Sequence, residues 1–459
     1  MPININFQIM IRNIFICLAV FCSFQYVSAL SVTDGRLYNR ETFVVKWKDI
    51  NGNERMMELT KSSSIYYAGT SSHITYYDGN ELVNITPLLI DSTETDSLKI
   101  HHNVIDGTFG YLVHHGALDL LLKGDFRLIY KGSHHAVFQL KLLVDNVPET
   151  ITYTFMDGLD YFQWSETVDA RKGKHMADAR GPYCSMNWDG KTGFSEAEGV
   201  EYAAKRYFSQ PKYNGPYSFG GLADIPYCRE WENGKEVGYV QSQTYDQQMA
   251  GTLWSEYIPA SGTSFSDDQR PNLDFQMNYW DKKKKITWGM PYGYMNADGP
   301  WPSRGGTKDG WGQYSLSVIF DALKDDGVLR VRDENRAIHN GGIIITASAG
   351  ELLKEGSVGT ANPNKQLLSP QGYDHNFRLW RILADQNKAA INISSRTTVL
   401  TNPVFIISNI TGSPSVILFN ETKLSPEKDY YLSYDPEKHE AWVTLIKKIY
   451  GKVNLIRIN

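Results

Sequence analysis

The stretch His175-Met176-Ala177-Asp178-Ala179-Arg180-Gly181-Pro182-Tyr183-Cys184-Ser185-Met186-Asn187-Trp188-Asp189-Gly190 gathers an imidazole, a guanidinium, two carboxylates, a phenol and an indole. These are the groups that a site for an acidic sugar needs. A guanidinium such as Arg180 pairs bidentately with a carboxylate. Tyr183 or His175 can take a proton from carbon. Trp188 offers a flat face to a pyranose ring, and Asp189 beside it is a further candidate substrate contact. The same residues also read as a well-bonded loop, with Arg180 paired to Asp178 or Asp189 and Tyr183 in the core. The residues alone leave both readings open.

A second cluster runs from Trp288 to Arg304. Glycine and proline fix an irregular backbone there, while Tyr292, Tyr294, Trp301 and Arg304 supply aromatic faces and a cation. Such a loop can line a carbohydrate groove or cover a sheet edge. A third stretch, Tyr227-Cys228-Arg229-Glu230-Trp231-Glu232, continues to Tyr239 through Tyr245. Cys184 and Cys228 are the two cysteines left once an N-terminal segment carrying Cys17 and Cys22 is removed. In an oxidising compartment two cysteines allow one pairing. A bridge closing that loop stabilises by roughly 3–4 kcal/mol in the chain-entropy model. Two cysteines with no close histidine make a poor zinc site.

The pairs His101-His102, His114-His115 and His134-His135 are adjacent in sequence. Neighbours on a strand point to opposite faces, so one pair does not readily chelate a metal, and structural histidines are the expectation. His339 and His375 are each a lone histidine in a loop-like context. The chain contains no nucleophile elbow, no zinc-protease helix motif, no phosphate loop and no dinucleotide fingerprint. A glycosidase carboxylate pair is neither assigned nor removed by sequence.

The elements that must position these residues are strands. Period-2 runs recur at Phe43–Lys48, His73–Tyr77, Glu81–Ile85, Phe126–Tyr130, Ala136–Val144, Thr150–Phe155 and Tyr161–Val168. Turn signals at Asn51-Gly52-Asn53, Asp78-Gly79-Asn80 and Asp157-Gly158 separate them. The region from Arg171 to Gly312 is loop-rich, and Glu196–Arg206 is its best helical candidate. Strands resume at Tyr314–Phe320 and Gly342–Ala347. The expected fold is all-β, a large antiparallel super-sandwich over 30–385 followed by a small β-sandwich over 386–459.

At the N-terminus, Arg12 precedes the apolar run Ile14–Cys22, and Val27-Ser28-Ala29 puts small residues at a cleavage point. This reads as a signal peptide over 1–29, cut after Ala29 or Leu30, and implies a secreted protein. The run falls short of the roughly 20 residues of a spanning helix, and no transmembrane span is expected later in the chain. Four sequons, beginning at Asn84, Asn392, Asn409 and Asn420, matter only in a host that glycosylates. A net charge of -5 gives no electrostatic case for nucleic acid. An aromatic content of 13% instead favours a β-protein with aromatic, loop-rich surfaces.

Lys123-Gly124-Asp125-Phe126-Arg127-Leu128-Ile129-Tyr130-Lys131-Gly132, Phe155-Met156-Asp157-Gly158-Leu159-Asp160-Tyr161-Phe162 and Asp178–Tyr183 together resemble secreted carbohydrate-active proteins. Their scaffold is the galactose-mutarotase-like super-β-sandwich of several polysaccharide lyases and some glycoside hydrolases. The resemblance implies a polysaccharide substrate. It also implies a lyase acting on a uronic-acid-containing glycan, with a glycoside hydrolase or a non-catalytic glycan binder as the alternatives. It leaves a Ca²⁺ requirement open. Many such lyases carry an N-terminal α/α toroid for which this chain has no room, so no established catalytic residue is carried over.

Overall fold

The computed structural model describes residues 29–37, 40–61, 64–66, 81–83, 105–106, 108–113, 121–123, 125–144, 147–169, 178–187, 194–197, 200–203, 227–232, 235–242, 276–277, 285–289, 311–322, 326–353 and 369–458. Among them the architecture is all-β, with several sheets and one helix, Gly327–His339. All described strand pairs are antiparallel except Leu379–Leu383 with Val404–Ser408.

A nine-stranded sheet forms the centre. Its strands run in the order Val200–Ala203, Phe194–Ala197, Tyr227–Glu232, Lys235–Gln241, Trp311–Ala322, Tyr161–Asp169, Val147–Met156, His135–Val144 and Asp125–Lys131. The expected meander from Phe126 to Val168 is its continuous half. Along each strand successive side chains alternate between faces. Phe138, Phe155 and Phe162 lie on one face and meet a five-stranded sheet that begins with Ser31–Leu37, Arg40–Lys48 and Glu54–Thr60. Phe43 is 5.3 Å from Phe138, and Trp47 is 5.2 Å from Phe155. Ring pairs of this kind add about 0.5–1.5 kcal/mol each beyond their area burial.

The opposite face of the central sheet carries Val137, Met156, Tyr161, Val240 and Ile319. It packs against Val328 and Val331 of the helix and against Leu379, Val404, Ile406 and Trp442. Being covered on both faces explains why His135–Leu140, Ile151–Met156 and Tyr161–Ser165 are buried at almost every position rather than at alternate ones. The C-terminal sheets enclose a second core around Tyr373, Ile391, Phe405, Val443 and Ile456. Their pairing runs across the 386 boundary expected from sequence. Ile343–Ala349 pairs with Ala389–Thr401, and Leu379–Leu383 pairs with Val404–Ser408.

The turn expectations at Asn51-Gly52-Asn53 and Asp157-Gly158 hold. Gly52 and Gly158 both take positive φ. Asp49 Oδ1 accepts from the backbone N–H groups of Asn51 and Asn53, and its Oδ2 accepts from Arg55 Nε at 3.0 Å. The expected strand at His73–Tyr77 and the turn at Asp78-Gly79-Asn80 lie outside the described residues.

The helical expectation for Glu196–Arg206 is corrected. Phe194–Ala197 and Val200–Ala203 are strands, antiparallel to each other, and the first also pairs with Tyr227–Glu232. The physical reason is a sheet edge: strand pairing satisfies the backbone groups of a short segment that a marginal isolated helix would not stabilise. The described helix was missed because its buried stripe, Val328, Val331, Glu334, Asn335 and Ile338, contains a carboxylate and an amide at apolar positions.

Candidate functional site

The candidate cluster around Arg180 falls on a four-stranded sheet ordered Gln276–Met277, Lys285–Gly289, Asp178–Asn187 and Thr108–Val113. Asp178–Asn187 is a strand, not a loop, and it pairs on both sides. On one side Arg180 opposes Tyr111 and Tyr183 opposes Phe109. Three steps on one strand therefore match two steps on its neighbour, and the register shifts between Arg180 and Tyr183. That is a β-bulge at Gly181-Pro182. Proline has no N–H for a ladder and is tolerated at such a position.

The bulge has a consequence for chemistry. On a regular strand, positions 180 and 183 fall on opposite faces. Their partners Tyr111 and Phe109 are two apart and share a face, so positions 180 and 183 share one too.

On its other side the same strand pairs Tyr183 with Gly289 and Cys184 with Trp288. The first two residues of the second sequence cluster, Trp288 and Gly289, therefore pair with the first cluster. The remaining expected site residues, His175, Trp188, Asp189, Tyr292, Tyr294, Trp301 and Arg304, lie outside the described residues. Cys184 lies in this four-stranded sheet and Cys228 in the central one. The third cluster, Tyr227–Glu232, accordingly belongs to a different sheet from the first.

Other titratable groups form buried constellations that sequence did not assemble. His134 Nδ1 lies 2.8 Å from Asp157 Oδ2, and its Nε2 lies 2.8 Å from Glu427 Oε1, with Tyr431 stacked on the ring. His135 bonds Ser433 and Thr444 through its two ring nitrogens, and burial, then the neighbouring His134, push its pKa well down. His375 Nδ1 is 2.6 Å from Ser369 Oγ, and burial, reinforced by His339, lowers its pKa to about 3. Buried this deeply, His135 and His375 serve as hydrogen-bonded core groups rather than as bases open to a substrate. His339 Nδ1 bonds the Asn335 carbonyl one helical turn back. The structural expectation thus holds for these four histidines. Among the described residues no group of three or more His, Cys, Asp or Glu side chains is arranged to hold a metal ion. No described helix is long and apolar enough to cross a membrane.

A cleft of about 500 Å³ opens beside the end of the helix, lined by Ile338, His339, Ile343, Ile345, Leu352 and Trp380 with Glu351 and Gln371 at its polar side. Its size and apolar floor suit ligand binding. Gly350 on its wall has φ +82, and a Cβ there would stand 2.6 Å from the Leu383 carbonyl oxygen, so the backbone approach requires glycine.

No protein-family description and no curated protein matches this chain. Among solved structures it is similar to a polysaccharide lyase at 10% identity and TM-score 0.27, over 86% of this chain and 45% of that one. It is similar to a GH36 α-galactosidase from Geobacillus stearothermophilus at 10% identity and TM-score 0.32, over 65% and 42%. It is also similar to an α-mannosidase from Enterococcus faecalis V583 at 8% identity and TM-score 0.31, over 93% and 42%. The chain spans less than half the length of each. Superpositions this partial carry no argument about activity, which rests on the residues.

Proposed function

We propose that this chain is a secreted carbohydrate-active enzyme, a polysaccharide lyase that cleaves a uronic-acid-containing glycan by β-elimination. The observation that carries this reading is the bulge at Gly181-Pro182. The register there puts positions 180 and 183, an arginine and a tyrosine, on one face of the sheet, which supports pairing their chemistry in one site. The pairing of Tyr183 with Gly289 supports the reading further by bringing the start of the second cluster beside the first.

In the proposed mechanism Arg180 pairs with the uronate carboxylate. Neutralising that charge makes the proton on C5 more acidic. Tyr183 or His175 removes it, the C4–O bond breaks, a C4=C5 double bond forms, and a phenol returns a proton to the leaving oxygen. Trp188 and Trp301 stack on the sugar rings, while Asp189, Tyr292, Tyr294 and Arg304 hold neighbouring units.

The test is a screen of the purified mature chain against a panel of uronate polysaccharides, with and without Ca²⁺, read by the ultraviolet absorbance of the unsaturated product. A rise with one substrate, lost in Tyr183→Phe or His175→Ala, is the expected result. A rise untouched by both changes keeps elimination and removes this site. New reducing ends without absorbance would mean hydrolysis, and neither signal across the panel would mean a glycan binder.

A further inference from the structure

The carboxylate of Asp157 is fully buried, yet it is shared among groups from distant parts of the chain. Its Oδ1 accepts from the Lys48 backbone N–H at 2.8 Å. Its Oδ2 faces His134 Nδ1 at 2.8 Å and accepts from the Leu30 backbone N–H at 2.9 Å. Leu30 is itself buried at 4% exposure. The imidazole of His134 is held between two carboxylates, Asp157 and Glu427. The Glu427 side chain is half-exposed and solvated, whereas Asp157 is fully buried and its other donors here are the backbone N–H groups of Lys48 and Leu30. A buried carboxylate is costly unless it is paired with a cation, and a cationic donor in place of one of these neutral backbone donors would relieve that cost.

The nitrogen already at that position is the one directly after Val27-Ser28-Ala29, the small-residue cleavage signal. We propose that the chain is processed between Ala29 and Leu30 and that the new α-ammonium of Leu30 becomes the buried counter-ion of Asp157. In the processing step water adds across the Ala29–Leu30 amide. The hydroxyl goes to the Ala29 carbonyl carbon, the C–N bond breaks, and the Leu30 nitrogen leaves as an amine that is protonated at neutral pH. The donor that reaches Asp157 as a neutral amide in the precursor then reaches it as a charge-assisted donor.

Two features sharpen the cut. Leu30 is buried and Ser31 is already paired with Lys46, so a chain beginning at Ser31 would lose both the Leu30 side chain and the donor to Asp157. The burial of Leu30 also requires cleavage before the sheet closes over it, as happens when a leader is removed during export. Processing in this way couples completion of the fold to loss of the leader, and it is independent of what the protein acts on.

Two measurements test the proposal. The mass of the intact protein secreted from a host with a signal peptidase should correspond to a chain starting at Leu30, and any other start overturns the assignment. Mature chain starting at Leu30, released from a cleavable fusion, is then compared with chain extended by Ala29 and with chain acetylated on the Leu30 nitrogen. The free ammonium should shift the unfolding constant in urea by about tenfold or more, equivalent to one pKa unit of interaction. It should also react with an acylating reagent at least about tenfold more slowly in the native than in the unfolded protein, a matching protection. Equal stability of the three chains, or an α-amine acylated as fast in the native as in the unfolded state, overturns the pairing. Because these comparisons keep Asp157 intact, they stand even if Asp157→Asn fails to fold.

Discussion

The Arg378 guanidinium donates to the Glu334 carboxylate at 2.7 Å, and both side chains are buried. Arg378 also bonds Asn335 Oδ1 and the Tyr161 hydroxyl, while Glu334 Oε1 accepts from the Thr401 backbone N–H. One ion pair thus ties the helix to the central sheet and to the C-terminal strands. Nearby, Arg330 grips the Asp160 carboxylate with both oxygens in reach, locking the N-terminal end of the helix to the same sheet.

Glu334→Gln leaves the buried Arg378 charge without its carboxylate, and Arg378→Met leaves buried Glu334 with the longer contact to Arg330 at 3.3 Å. Arg378→Met or Glu334→Gln alone should cost about 3–5 kcal/mol, whereas replacing both with apolar residues of similar volume should cost much less than the sum. Urea unfolding of the two single variants and the double variant measures the coupling. Additive losses would show that the pair does not act as a unit.

Acid should destabilise the protein through its buried histidines. His375 titrates at about 3 in the folded chain against an ordinary value near 6.5, because burial disfavours its charged form. Between those values the unfolded chain binds the extra proton and the folded chain does not, so stability falls as pH drops from about 6.5 toward about 3. His135, lowered for the same reason, adds to the same slope. Urea midpoints at pH 7, 5 and 4 should decline less in His375→Gln than in the parent chain, and parallel declines would remove His375 as a cause.

Two glycines with the same backbone hand should respond differently to alanine. Gly341 has φ +73 and open space around a Cβ, while Gly350 has φ +82 and the Leu383 carbonyl oxygen 2.6 Å away. Gly341→Ala should cost about 1–2 kcal/mol, the penalty of the left-handed conformation alone. Gly350→Ala should cost more, because the strand of the cleft wall must also move. Thermal unfolding of both variants ranks them, and equal losses would show that the wall gives way freely.

The bulge at Gly181-Pro182 predicts a register effect on activity. Tyr183→Phe should lower kcat by about 10²–10⁴ with little change in KM, as expected for loss of a proton-transfer group. Deleting Pro182 should remove the register shift but leave positions 180 and 183 two steps apart on a regular strand, still on one face, so elimination should persist with strand content by circular dichroism intact. Loss of elimination in the deletion, with strand content intact, would show that a common face for positions 180 and 183 is not enough to make the site.

Part of the local structure is legible in the sequence. Alternation at Ala136–Val144 and Tyr161–Val168 and the glycine turns at Gly52 and Gly158 are set by side-chain period and by backbone sterics, which act between neighbours. It also supplied the chemical types of the candidate site. Tertiary structure decided which of them meet. The common face of positions 180 and 183 depends on pairing with Tyr111 and Phe109, and closing the ladder without the bulge would put them on opposite faces. The helix at Gly327–His339 is hidden in sequence because Glu334 interrupts its apolar stripe. Only Arg378, Thr401 and Arg330, brought in from other elements, make that carboxylate a buried partner. His134 reads in sequence as one of an adjacent pair, and the fold places it between Asp157 and Glu427. Long-range hydrogen bonds and charge pairs carry no periodic signature along the chain, so their partners become legible only when the sheets close.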